Sequence, residues 1–273
     1  MLSPHGTYAE YTIVKATTTF HLPPNISFES GASLPLAFMT AAIALYQGLK
    51  VPLPTAIPEA DAARIPILIW GGATAVGAFA LQLAKLSNLN PIITVAGDGI
   101  DFVKSLNAAD HIIDYRTGDV AQKIIAAAGS DKIKLAFDSI SDPRSYESIS
   151  KVLAASGGGT INMVDPVEDK NWKFPDGVKL SATMVGSSHG DTWGRVSEEQ
   201  EKVDQEFAFW FYRYLSHLLA EGKLKPHPVE VLPDGLNGIV AGVQALFDRK
   251  VSAKKLVARL VDLESDNMEY TVN

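Results

Sequence analysis

The residues with the most chemical content lie in one run, PILIWGGATAVGAFALQLAKL, positions 66–86. A short apolar stretch ends at Gly71-Gly72, and apolar residues then recur at helical spacing: Val76, Phe79, Ala80, Leu83, Ala84. A turn of small residues between a strand and a helix can grip a dinucleotide diphosphate. Amide N–H groups converge at the helix start, and small side chains let the phosphates approach. Gly72, Ala73, Thr74, Ala75 and Val76 supply such a turn, with Thr74 adding a hydroxyl donor and Gly77 permitting close helix–strand packing. The spacing Gly72-x-x-x-x-Gly77 is looser than G-x-G-x-x-G, and a glycine-rich turn can also be a plain tight connection. The strand–turn–helix context therefore carries the assignment.

Other constellations are weaker. His189, His217 and His227 lack metal-ligand spacing, and surface or satisfied core positions are expected for them. His189 is singled out because Gly186–Gly190 follows a sixth apolar segment and would border a cleft. Phe207, Phe209, Trp210, Phe211, Tyr212 and Tyr214 cover several sides of one helix, as a core or subunit contact would, with a substrate channel second. No nucleophile elbow, phosphate-binding loop ending in Gly-Lys-Ser/Thr or zinc-protease motif occurs.

The elements that must position these residues alternate. Strands are expected near 65–70, 92–95, 111–115, 135–138, 160–164 and 179–185, with helices near 76–86, 100–106, 120–127 and 145–153 between them. Such alternation indicates a doubly wound parallel sheet with helices on both faces. Ahead of it, residues 8–13 alternate like a strand. Ser27 can cap a helix from Phe28, Pro35 breaks or bends the chain, and a helix runs from about Phe38 to Tyr46 before Gly48. The proline-bearing stretch 51–63 reads as a surface loop. After the sheet come a long helix over 198–221, a strand at 229–232, a helix over 236–249 and a final strand over 255–261.

Composition narrows the classes. The 273 residues carry 24 Lys+Arg against 31 Asp+Glu, a net charge of −7, and are 47% hydrophobic, a globular balance. Zero cysteines exclude a disulfide scaffold, thiolate zinc, iron–sulfur clusters and a cysteine nucleophile. The acidic excess argues against nucleic acid or an anionic membrane as partner. No run of about 18 apolar residues suggests a membrane span, and the first residues lack a signal-peptide pattern. A cytoplasmic location is expected. The Asn25-Ile26-Ser27 sequon is read as a helix cap.

GTYAEYTIV, ISFESGASLPLAFMTAAIALYQ, ILIWGGATAVGAFALQLAKL, DFVKSLNAADHIIDYR, LAFDSIS, EGKLKPHPVEVL and SAKKLVARL together, in this order, resemble the zinc-free branch of the medium-chain dehydrogenase/reductase superfamily. More narrowly, they resemble the fungal trans-acting enoyl reductases that serve polyketide synthases. The resemblance implies a Rossmann sheet plus an incomplete GroES-like β lobe. Residues 1–33 would be a remnant of that lobe, 34–188 the dinucleotide-binding domain and 189–273 the return to the lobe. It also implies NADP(H), no metal, and a small-molecule or carrier-bound polyketide-like substrate. Carried over residue by residue, it sets Ala73–Val76 on the pyrophosphate and Ala96, Gly97, Asp98 and Gly99 on the adenosine ribose. Lys104 and Tyr115 would flank the 2′ position. Val164, Asp165, Leu256 and Val257 would face the nicotinamide half, and Thr40 would lie beside nicotinamide and substrate as the donor to a developing enolate. Tyr11-x-x-x-Lys15 matches the spacing of short-chain dehydrogenases but lies on the wrong kind of segment, ahead of the sheet.

Two departures from the family matter. Relatives often carry Ser-Pro where this chain has Ala96-Gly97, and that serine would bond a 2′-phosphate. Its absence, with Asp98 adjacent, favours the free 2′-hydroxyl of NAD(H), although Lys104 and Arg116 could compensate; a solvated turn aspartate is the plainer reading of Asp98. The resemblance also enters only at the last segment of the first lobe. Strand edges and apolar surface are then expected to lack partners. A truncated gene, coverage by a homodimer or partner chain, and a cleft opened for another substrate are all consistent with this. The expected function is an NAD(P)H-dependent enoyl or enone reductase. The alternative is a reductase-like protein without hydride transfer that binds a polyketide-like ligand and steers cyclisation or isomerisation, or serves as a synthase partner.

Overall fold

The computed structural model describes residues 6–55, 64–164, 172–192 and 196–260. Six strands form one parallel sheet: β1 (Ile67–Trp70), β2 (Ile92–Ala96), β3 (His111–Asp114), β4 (Leu135–Asp138), β5 (Gly159–Met163) and β6 (Val178–Ala182), in the order β3-β2-β1-β4-β5-β6. This is the doubly wound Rossmann arrangement. The strand order reverses direction at β1, where Trp70 stands beside Val95 on one side and Asp138 on the other. A second sheet holds only β7 (Val229–Leu232) and β8 (Lys255–Ala258), also parallel. This smaller second sheet is consistent with a reduced GroES-like lobe.

The helices in chain order are α1 (Phe28–Ala32), α2 (Pro35–Ala42), α3 (Ala75–Leu86), α4 (Ile100–Leu106), α5 (Val120–Ala128), α6 (Pro143–Ala155), α7 (Glu198–Ala220) and α8 (Ile239–Phe247). The large sheet is covered on both faces, while α8 packs on the small sheet, Gly242 against Leu232 and Leu256. All four residues of β1 are buried, as a central parallel strand requires. Period two sends Ile67 and Ile69 into a core with Phe38, Phe79, Leu83, Phe211 and Leu215. It sends Leu68 and Trp70 into a second core with Ile124, Ile149, Val152 and Met163. Local capping sets the helix starts. Thr74, Asp119, Asp142 and Ser197 each accept an amide from the first turn that follows. Ser27 caps α1, as expected for the sequon, while Asn25 Nδ2 donates to Leu219 O at 2.9 Å.

One local expectation fails. Residues 8–13 belong to neither sheet, residues 8–11 being bends, and Tyr8 and Tyr11 stand 75% and 90% exposed. Alternation alone cannot hold an extended segment that has no neighbouring ladder. The break expected at Pro35 is present: α1 ends at Ala32, and Pro35 opens α2 at its first position, where its missing N–H is harmless, ahead of the start expected at Phe38. That helix runs on through a π-helical turn, Ile43–Gly48, closed by Leu49 N–H on Ala44 O at 2.8 Å. Part of the expected loop 51–63 (residues 56–63) and the end of the last strand at Val261 lie outside the described residues.

Candidate active site at the sheet switch point

The candidate site is the meeting of turns at the carboxyl ends of β1, β2, β4 and β5, beside the switch point of the sheet. Gly71, at φ +85°, turns the chain out of β1, and Gly72 passes so close to β2 that a Cβ would lie 2.3 Å from Thr94 Oγ1. Gly77 is equally constrained: a Cβ there would lie 2.2 Å from Gly71 O, so α3 can approach the turn only because that position is glycine. Thr74 caps α3 through Gly77 N–H at 2.9 Å. Ala75 and Val76 are the first two helical residues, and their amides have no carbonyl partner inside the helix. With the helix dipole behind them, they form an anion seat. The residues present therefore fit the diphosphate of a dinucleotide.

Thr74 has a further contact besides its cap. Its Oγ1 lies 2.9 Å from Ser139 Oγ, in the turn after β4, and Ser139 Oγ also lies 2.8 Å from Trp70 O.

Of the expected ribose residues, Gly97 and Tyr115 meet, and Gly99 meets the glycine turn at Ala73. Ala96 ends β2, and a Cβ at Gly97 would strike the Tyr115 ring at 2.5 Å, so this glycine lies flat on the aromatic edge. A Cβ at Gly99 would lie 2.4 Å from Ala73 Cβ and 3.0 Å from Ala253 Cβ, which joins the ribose loop, the glycine turn and the C-terminal segment at one point. Asp98 is exposed and pairs with Arg116, which also binds Asp114 through contacts of 2.9 and 2.7 Å. These bonds hold the Asp114 carboxyl down at about 2 and raise the Arg116 guanidinium further. Lys104 pairs with Asp101 at 3.1 Å. Arg144 pairs with Asp142 at 3.2 Å and stands 5.3 Å from the Tyr115 ring centre.

The remaining expected residues are more scattered. Val164 follows β5, its N–H directed at Asp138 O at 3.4 Å, which places it at the same edge. Asp165 lies outside the described residues. Leu256 and Val257 are half-buried in β8, and Leu256 packs toward Gly242 of α8. Thr40 is buried in α2, and its hydroxyl donates to Leu36 O at 2.7 Å, the usual back-bond of a helical threonine. Lys15 Nζ donates to the backbone of His189, whose half-buried imidazole is pushed below its ordinary pKa mainly by desolvation. Phe211 and Tyr212 are core residues, whereas Trp210 is 70% exposed beside an apolar groove of about 750 Å³ that includes Leu53 and Phe209.

Asp138 and Ser139 were not anticipated. Asp138 is fully buried at the end of β4; it accepts Ile140 N–H and Ser141 N–H at 3.0 Å and Ser145 Oγ–H at 2.6 Å, and burial raises its pKa. The rule that ligands sit at the strand ends beside the switch point would have directed attention to both. Among the described residues, no group of three or more His, Asp or Glu is arranged to hold a metal ion, and no helix is long and apolar enough to cross a membrane.

A family model described as zinc-binding dehydrogenase matches residues 75–205. The chain is 40% identical over 240 residues to trans-enoyl reductase fsr4 of Gibberella fujikuroi, a match covering 86% of this chain and 67% of that protein. It is 34% identical over 258 residues to trans-enoyl reductase FSL5 of Gibberella zeae, covering 92% and 69%. The chain thus spans about two thirds of the length of these curated relatives. In fold it is similar to a putative NADPH:quinone reductase from Bacillus thuringiensis, with a TM-score of 0.70 at 18% identity, over 94% of this chain and 72% of that one.

Proposed function

The chain belongs to the fungal trans-enoyl reductase family, within the zinc-independent medium-chain dehydrogenases/reductases, and from that premise we propose that it reduces the carbon–carbon double bond of a polyketide-type enoyl thioester or enone. The observation that carries the reading is the pair of helix-start amides at Ala75 and Val76, set at the switch point of the parallel sheet. When bound, a nicotinamide dinucleotide supplies a hydride to the β-carbon. This chain's residues hold the diphosphate at α3 and the adenosine ribose at Ala96–Gly99. Val164, Asp165, Leu256 and Val257 belong to the nicotinamide half in the same proposal. Charge develops on the substrate carbonyl oxygen only as the double bond is reduced, so a donor placed there lowers the barrier selectively. Thr40 is that donor in our reading, exchanging Leu36 O for the enolate oxygen. A cytosolic location is part of the proposal.

Asp98 makes NADH the better partner. Arg116 is already held by two carboxylates, Asp98 and Asp114. A 2′-phosphate would have to displace the Asp98 carboxylate from that guanidinium and sit beside it. The test is titration of the purified chain with NADH and NADPH by nicotinamide fluorescence, followed by oxidation in the presence of an enone. Binding of NADH with turnover supports the proposal; absence of binding by either nucleotide overturns it. The present commitment of the Thr40 proton favours a second reading, a ligand-binding reductase relative without hydride transfer, for which binding without oxidation is the expected result.

A further inference from the structure

We propose that Ser139 is a positioning residue for the diphosphate seat, acting through a one-way hydroxyl relay to Thr74; the inference rests on the nucleotide-binding reading above. The direction of the relay follows from the acceptors. A main-chain carbonyl can only accept, and Ser139 Oγ lies 2.8 Å from Trp70 O and 3.3 Å from Gly71 O, so its single proton is directed there. Across the 2.9 Å contact between the two hydroxyls, Thr74 must then be the donor. Thr74 Oγ1 meanwhile accepts Gly77 N–H. The chain of bonds runs from the Gly77 amide through Thr74 and Ser139 to the last carbonyl of β1.

Capping α3 requires only the bond from Gly77 to Thr74. The second bond, to a residue 65 positions away, does something more: it fixes the Thr74 side chain from across the switch point. Ser139 is itself held firmly. Its N–H reaches Trp70 O at 3.2 Å, and the turn it occupies is organised by the buried Asp138 carboxylate, which gathers two turn amides and the Ser145 hydroxyl. Ser141 in that turn adopts φ +59°, a left-handed conformation that a non-glycine residue rarely takes without such anchoring. The two turns also touch: a Cβ at Gly71 would lie 2.4 Å from Ser139 Oγ and 2.9 Å from Ile140 Cγ1. The diphosphate seat is therefore built from two strand-end turns, and Ser139 is the polar link between them.

The experiment compares the intact chain with Ser139→Ala, Thr74→Val and the double variant. Dissociation constants are measured for NADH, for ADP-ribose, which keeps the diphosphate, and for adenosine, which has none. Ser139→Ala is expected to weaken NADH and ADP-ribose about five- to tenfold, the scale of one hydrogen bond lost from a preorganised site, and to leave adenosine within about twofold. The double variant should bind no more weakly than Thr74→Val alone, because both substitutions cut the same relay. An unchanged constant for ADP-ribose, an equal loss for adenosine, or multiplying effects in the double variant would overturn the inference. Tighter binding would also overturn it, since the freed Thr74 hydroxyl would then be a direct phosphate donor. If the parent chain binds none of the three compounds, the nucleotide reading itself has failed. Ligand-free amide exchange over residues 75–78 then decides the relay: faster exchange in Ser139→Ala retains it, and unchanged exchange removes it.

Discussion

His227 makes the stability of this protein sensitive to mild acid. It is 3% exposed, its ring stands edge-on to Phe102 with centroids 5.0 Å apart, and its Nδ1 has no hydrogen-bond partner among the described residues. Desolvation, and secondarily the ammonium of Lys255, push its pKa from 6.5 down to about 4. The unfolded chain takes up a proton near pH 6.5, while the folded chain refuses it until about pH 4. Stability is therefore complete above the unfolded value and falls as pH drops through that window. At about 1.4 kcal/mol per pH unit, the loss is about 2 kcal/mol by pH 5 and about 3 kcal/mol near the folded value. The assay is urea unfolding at pH 7.5, 6, 5 and 4.5 for the parent and for His227→Phe, which keeps an aromatic ring on Phe102 without a titrating group. Other groups titrate in both proteins. His189 adds a loss of the same sign, whereas Asp138, whose folded pKa is raised, works the opposite way; both cancel in the difference between the curves. Superimposable pH dependence for the two proteins would refute the reasoning.

Three further outcomes are expected. Gly77→Ala places a methyl group 2.2 Å from Gly71 O; it should cost about 2 kcal/mol or more in chemical denaturation and weaken NADH binding at least tenfold. Asp98→Ser releases one of the two carboxylates on Arg116 and should move the ratio of NADPH to NADH dissociation constants about tenfold toward NADPH; an unchanged ratio would remove Asp98 as a selectivity determinant. Thr40→Val should lower kcat about tenfold or more with enone substrate, with the NADH dissociation constant and the thermal midpoint little changed; a normal kcat would dismiss Thr40 as the donor.

Much of this architecture is visible in the chain itself because it is local. The run Ile67–Trp70, the period of Val76 to Leu86 and the glycines between them identify β1, the turn and α3 without reference to any distant residue. The strand ends at Ala96, Asp114 and Asp138 were legible to within a residue for the same reason. What was not legible depends on contacts between distant segments. The Thr74–Ser139 bond joins residues 65 apart, and the Asp98–Arg116 pair joins residues 18 apart. No spacing rule connects either pair. The strand expected over 8–13 failed because a strand is a property of two segments, and alternation reports on one. Thr40 is a different case: a threonine inside a helix commonly bonds the carbonyl four residues back, so its tie to Leu36 could have been foreseen from position alone.

The division of β1 between two cores has a wider consequence. Ile67 and Ile69 face one packed interior, Leu68 and Trp70 the other, with a layer of peptide backbone between them. A bulkier residue introduced near Phe79 cannot be relieved by trimming one near Ile149, because no side chain crosses that layer. The two interiors are thus separate packing problems, and changes made on opposite sides of the sheet should combine additively. Deleting one residue within β1 would be far harsher than any substitution there. It would exchange the contents of both interiors at once and drive the tryptophan into a space shaped for isoleucine.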